Sequence, residues 1–152
     1  MVLALVALDW FLAPKPTVLE ISRSPVGPVR LGAETSTSLV VTHAGGGRVL
    51  GTLRDAWQPS AGAVDNRHHL ALSAGERVVV VTQLRAGRRG DLRARGVTVR
   101  LIGPLGLAGR QATREVLGVL RSLPPFTSRK HLPSRLARLR EIDGRAAVRI
   151  RG

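Results

Sequence analysis

The stretch Val97-Thr98-Val99-Arg100-Leu101 alternates strictly between apolar and polar or charged residues. Successive side chains of a strand point to opposite faces, so this pattern buries Val97, Val99 and Leu101 and turns Thr98 and Arg100 outward. Upstream, Val78-Val79-Val80-Val81 is β-branched throughout, which suits a central strand and disfavours a helix. Further short apolar or alternating runs extend the pattern, giving predicted strands at residues 18–22, 36–42, 49–56, 68–72, 77–84, 92–101 and 115–123. Ala44-Gly45-Gly46-Gly47, Ser73-Ala74-Gly75 and Gly87-Arg88-Arg89-Gly90 separate several of them, with glycine supplying the positive φ that hairpin turns need. About seven strands at this spacing predict an all-β fold, an antiparallel Ig-like β-sandwich.

The 152 residues carry 24 Lys+Arg against 10 Asp+Glu, a formal charge of +14, with an apolar fraction of 43%. That apolar fraction excludes a charged disordered tail, and the length suits one hydrophobic core. The absence of cysteine excludes disulfides, thiolate metal sites and cysteine nucleophiles. The cations crowd toward the C-terminus: residues 1–86 hold eight basic groups and six acids, residues 87–152 sixteen and four. Only Lys15 and Lys130 are lysines, so the arginine excess is also what a GC-rich coding sequence would produce.

Residues 1–13, MVLALVALDWFLA, are apolar except for Asp9 and end at Pro14-Lys15-Pro16. A helix of that length spans about 20 Å, short of the roughly 30 Å hydrocarbon core. No basic residue precedes the run and no clean small-x-small site follows it, which argues against a signal peptide. Two readings stay open. In the first, residues 1–14 are the back half of a transmembrane helix whose front half lies outside the chain. Trp10 and Phe11 then sit at the headgroups, and Lys15 and Arg23 place the globular part on the cytoplasmic side of the cell membrane. In the second, the run is a buried helix or strand of the globular domain.

The sandwich is expected over residues 15–124, and residues 125–152 read as a basic linker. Pro124-Pro125-Phe126 breaks the last strand, Ser128-Arg129-Lys130-His131 is a basic connector, and a short helix is predicted over 133–143, stopped by Gly144. Leu132, Leu136 and Leu139 share one face of it, with Arg135, Arg138 and Arg140 off that stripe. Arg129, Lys130, Arg135, Arg138, Leu132, Leu136 and Leu139 form the expected interaction surface. Residues 147–150 read as a further short strand.

Catalytic patterns are not found. Lys15 follows Pro14 and Lys130 follows Arg129, so neither is a P-loop lysine, and the glycines at 45–47 lack dinucleotide-binding spacing. Ser60 fails the G-x-S-x-G pattern. His68 and His69 are adjacent and point to opposite faces of a strand, while His43 and His131 are remote in sequence. The acids are scattered singly, leaving no carboxylate pair. The expectation is a non-enzymatic protein with no cofactor and no metal.

The basic half could neutralise several phosphates, yet from residue 58 onward Phe126 is the only aromatic, and no zinc-finger or helix-turn-helix pattern is present. Specific nucleic-acid binding is therefore not expected. The same arginines suit the anionic cytoplasmic leaflet. The alternative to a membrane module is a small basic protein that binds nucleic acid or anionic lipid non-specifically.

Several segments together carry a family resemblance. They are Leu8-Asp9-Trp10-Phe11-Leu12-Ala13-Pro14-Lys15-Pro16, Arg88-Arg89-Gly90-Asp91, Gly103-Pro104-Leu105-Gly106-Leu107, Pro124-Pro125-Phe126, and above all SRKHLPSRLARLREIDG at residues 128–144 with Val148-Arg149-Ile150-Arg151-Gly152. The chain resembles the domain of unknown function 58 family, actinobacterial type. The resemblance implies two transmembrane helices, a β-sandwich, a following von Willebrand factor A-like domain and a MoxR-type ATPase as partner. Against that pattern the chain corresponds to the N-terminal portion only, a fragment lacking the first helix and the A-like domain, so no metal or partner site carries over. The expected function is a membrane-associated stalk or interaction module.

Overall fold

The structure, a computed structural model, describes residues 1–125. The predicted helix over 133–143, the strand at 147–150 and the expected surface of Arg129, Lys130, Leu132, Arg135, Leu136, Arg138 and Leu139 lie outside the described residues. Helix α1 (Val2–Leu12) precedes nine strands: β1 (Leu19–Arg23), β2 (Val29–Arg30), β3 (Glu34–His43), β4 (Arg48–Trp57), β5 (Arg67–Ser73), β6 (Arg77–Arg85), β7 (Gly90–Ile102), β8 (Gly109–Arg114) and β9 (Val119–Leu123). One sheet has the order β1-β3-β6; the other runs β2-β9-β7-β4-β5, with β8 also paired to β7. All these pairings are antiparallel except the short parallel pairing of β2 with β9.

The sandwich is present, with nine strands among the described residues rather than seven. Residues 115–118 are not strand, so the run expected at 115–123 shrinks to β9. β8 escapes sequence reading because none of its residues is fully buried, so there is no alternation of apolar and polar side chains to detect. β2 is too short to show a period at all. The glycine turns at 44–47, 73–75 and 87–90 are not hairpin turns. Gly47, Gly75 and Gly90 do adopt positive φ, but each segment carries the chain from one sheet to the other.

The alternation read from Val97 to Leu101 holds, since Val97, Val99 and Leu101 are buried while Arg100 is exposed. They join Leu19, Leu39, Val41, Val49, Leu53, Leu70, Leu72 and Val80 in one apolar cluster, and Trp57, Ala61, Leu84, Ala86, Leu92 and Leu120 form a second. Along β4 the inward positions run Leu53, Asp55, Trp57, so a carboxylate stands between the two clusters. Arg23, reaching over from β1 in the opposite sheet, donates to it through both terminal nitrogens at 2.6 and 2.9 Å. The Trp57 indole N–H donates to the same carboxylate at 3.1 Å, and the Arg23 guanidinium lies 4.9 Å from the Trp57 ring centre. The side chains of this ion pair are only 3% and 0% exposed. Arg23 is therefore not the leaflet-facing cation expected from sequence; its charge is spent inside the sandwich.

Two pairings tie the sheets at other points. His43, fully buried at the end of β3, donates from Nδ1 to the Ser73 carbonyl at 3.0 Å. His68 of β5, half-buried, places Nε2 3.3 Å from Thr82 Oγ1 on β6. Burial pushes the His68 pKa below its ordinary 6.5, more than the nearby charges of Asp55 and Asp65 raise it.

Removing one partner of a buried ion pair strands the other charge, which costs about 3–5 kcal/mol, whereas replacing both with apolar residues can be neutral. Asp55→Ala is therefore expected to lower unfolding stability by about that amount in denaturant titration, and Arg23→Met with Asp55→Leu to recover most of it. A single substitution costing under about 1 kcal/mol would show that the pair does not hold the sheets. For His68 the folded form favours the neutral ring, so its contribution is complete above pH 6.5 and fades as pH falls through the lower folded value. An NMR titration should place its midpoint below 6.5; a midpoint above that would refute the assignment.

Candidate functional site

The chain's least protein-like surface is at its start. The single polar residue of α1, Asp9, is fully buried, while Met1, Val2, Leu3, Leu5, Leu8, Trp10, Phe11 and Leu12 are exposed. This arrangement inverts the usual rule for a water-facing helix. The helix lies outside both core clusters, so the reading of the run as a buried element of the globular domain is not what the structure has.

What holds α1 is the β7–β8 connection at residues 103–108. Pro104 and Gly106 suit the second and fourth positions of a turn closed by the Gly106 N–H on the Gly103 carbonyl at 3.0 Å. With Gly106 at φ +72°, the backbone N–H groups around it converge on one point, a nest of the kind that binds anions. The anion is Asp9. Its Oδ1 accepts from Leu105 N–H at 2.6 Å, and its Oδ2 accepts from Leu107 and Ala108 N–H, both at 2.7 Å. Gly103 lies flat against this carboxylate, and a Cβ there would come within 2.6 Å of Asp9 Cγ.

β8 supplies the remaining anchors. Arg110 donates to the carbonyls of Trp10 at 3.2 Å and Phe11 at 3.4 Å, capping the C-terminal end of α1 where the helix dipole is negative. Its guanidinium also covers the Trp10 ring at 4.7 Å. Arg114 donates to Leu19 O at 2.6 Å and Pro16 O at 2.9 Å, strapping down the segment that follows the helix. Ala13 and Pro16 are buried against the domain. The base of α1 is clamped, and its sides are bare.

Sequence reading singled out Asp9 as the one polar residue of the run and Gly103-Pro104-Leu105-Gly106-Leu107 as a family-like segment, without joining them. Arg110 and Arg114 were missed because β8 was missed. Elsewhere among the described residues no group of three His, Asp or Glu side chains comes together to hold a metal ion. A surface cavity of about 350 Å³ lies between Glu34, Val64, Asp65, Gln83, Leu84 and Arg85.

No family model matches the chain, and no curated protein matches it in sequence. Among solved structures it is similar to the ASH / PapD-like domain of human CEP192 (PapD-like domain 7), at 13% identity and a TM-score of 0.51, over 74% of this chain and 89% of that one. At this identity the likeness concerns the fold: an Ig-like β domain of PapD type.

Amide exchange tests the clamp directly. In Asp9→Ala the N–H groups of Leu105, Leu107 and Ala108 lose their acceptor, and their exchange should quicken by about ten-fold or more. Gly103→Ala, which pushes the carboxylate out of the nest, should do the same with Asp9 in place. Unchanged exchange in both variants would mean that the nest does not hold the helix.

Proposed function

We propose that this chain is a non-enzymatic, membrane-associated β-sandwich module in which α1 enters a bilayer and the sandwich stands on its surface as a stalk or interaction domain. The observation that carries this reading is the exposure of α1 on all sides with its only carboxylate withdrawn into the domain. A helix apolar all round needs an apolar surrounding, and a bilayer is one. Its 11 residues cover about 16 Å, roughly half the hydrocarbon thickness, and among the described residues no helix is long and apolar enough to cross a membrane. Insertion into the apolar interior is what these residues support.

The resemblance to the domain of unknown function 58 family supports the same placement. It extends the proposal to the cytoplasmic side of the cell membrane, with a von Willebrand factor A-like domain and a MoxR-type ATPase as partners. The PapD-like fold suits an interaction module without an active site of its own.

Co-sedimentation of the full chain with phosphatidylglycerol–phosphatidylcholine vesicles separates this function from that of a small basic binding protein. Insertion of an apolar helix should persist at about 1 M salt, where the screening length falls to about 3 Å. Leu5→Asp with Leu8→Asp should abolish it. Binding that vanishes in high salt, or survives both aspartates, would instead point to the basic surface.

A further inference from the structure

The turn that holds Asp9 is itself built for an apolar medium. Residues 103–108 read Gly-Pro-Leu-Gly-Leu-Ala and contain no polar side chain. Leu105 and Leu107 are each 52% exposed. Just before them, exposed Ile102 is the register partner of exposed Leu50 on β4, which continues the apolar surface onto the outer face of the sheet.

A complete account of the turn's backbone donors is the stronger observation. The Gly103 N–H goes to Ala108 O and the Gly106 N–H to Gly103 O. Those of Leu105, Leu107 and Ala108 go to Asp9. Pro104 has no N–H. Every donor of the segment is thus satisfied within the protein, although the loop is on the surface, where water could have served. Irregular backbone is excluded from lipid because its polar groups go unpaired, and on the donor side that objection is removed here by one carboxylate.

The surroundings fit an anionic bilayer. The strand registers put the start of β1, the turns at 44–47 and 74–76, and residues 103–108 all at the α1 end of the sandwich. Lys15, Arg48, Arg77 and Arg110 lie at this end against Glu20 and Glu76, and the Glu76 carboxylate is turned back onto the Ser73 N–H at 2.8 Å. The nest also sets depth. Because Asp9 grips the loop, Leu105 and Leu107 are held at the level of a residue one turn inside the end of α1.

Resting on the membrane reading above, we propose that residues 102–107 are a second membrane contact: Leu105 and Leu107 insert at the headgroup–acyl boundary of an anionic bilayer beside α1. The Asp9 nest makes the loop competent to enter. Two points of insertion would fix the tilt of the sandwich on the membrane, which one helix cannot do.

The chain has no cysteine of its own, so single cysteines can be labelled with an environment-sensitive fluorophore. Leu105→Cys, Leu107→Cys, Leu5→Cys on α1 and Val64→Cys at the opposite end of the sandwich are measured on the full chain with phosphatidylglycerol–phosphatidylcholine vesicles carrying a nitroxide high in the acyl chain. The expected result is a blue shift and strong quenching at 5, 105 and 107 and neither at 64. Placing Asp9→Ala in the 105 and 107 variants should abolish their quenching while position 5 keeps its own. Quenching at 5 with 105 and 107 left in water would overturn the loop contact and spare the membrane reading; no quenching at any position would overturn both. Quenching at 105 and 107 that survives Asp9→Ala would overturn the role given to the nest.

Discussion

The sandwich is organised around a buried ion pair, Arg23 on Asp55 under Trp57, which ties the two sheets together between their apolar clusters. β4 delivers Asp55 between an apolar cluster on the α1 side and another at the far end, so the ion pair is where the two meet. Buried charge is costly, and such a pair contributes little net stability over an apolar one. Its effect is on register. A bidentate guanidinium tolerates no slip of β1 against β4, and a slip by one residue would send every side chain of a strand to the wrong face. Gly118 closes over this pair so tightly that a Cβ there would lie 2.7 Å from Arg23 Nε. The segment ahead of β9 is thereby fixed as well.

The α1 end follows a related principle with the opposite partner. There the buried carboxylate is met by backbone rather than by a cation. Dipoles of a turn are already fixed in direction by the fold, so the Asp9 interaction needs no mobile side chain to be ordered. The consequence is a rigid base for a helix whose remaining surface belongs to no part of the described domain. In the proposed membrane stalk such rigidity would matter, because orientation would be transmitted from the bilayer to the sandwich only if the joint did not bend.

How far this was legible in the sequence depends on whether a residue signals its surroundings locally. Strands with a buried face were readable: Val97 to Leu101 falls where alternation puts it, and the valine run from 78 to 81 is a strand, although β6 stands at the edge of its three-stranded sheet and not at the centre that β-branching suggested. Asp55 was also within reach, since it shares inward parity with Val49, Leu53 and Trp57 along β4. β8 was not, because none of its residues is fully buried and GRQATR shows no apolar alternation. The glycine segments gave the right backbone conformation but the wrong connection, since a tight turn looks the same whether it joins neighbours in one sheet or crosses between two. Asp9 stood out in an apolar run, yet its partners lie 96 to 99 residues away, beyond any local pattern.

Net charge is a poor guide to what the arginines do. A formal +14 treats each cation as a free surface charge, but Arg23 is neutralised in the core and Arg121 is paired with Asp91 across β7 and β9 at 2.9 Å. Arg110 and Arg114 are engaged through their donors with carbonyl oxygens, a use that exploits the planar fork of guanidinium and that lysine would serve less well. Hydrogen bonding to a carbonyl does not cancel the charge. Arg110 therefore closes the end of α1 with its N–H groups while keeping its positive charge, which under the proposed membrane function would face lipid phosphates. A coding bias toward arginine can explain how many there are; it cannot explain why β8 places two of them where the helix needs to be held.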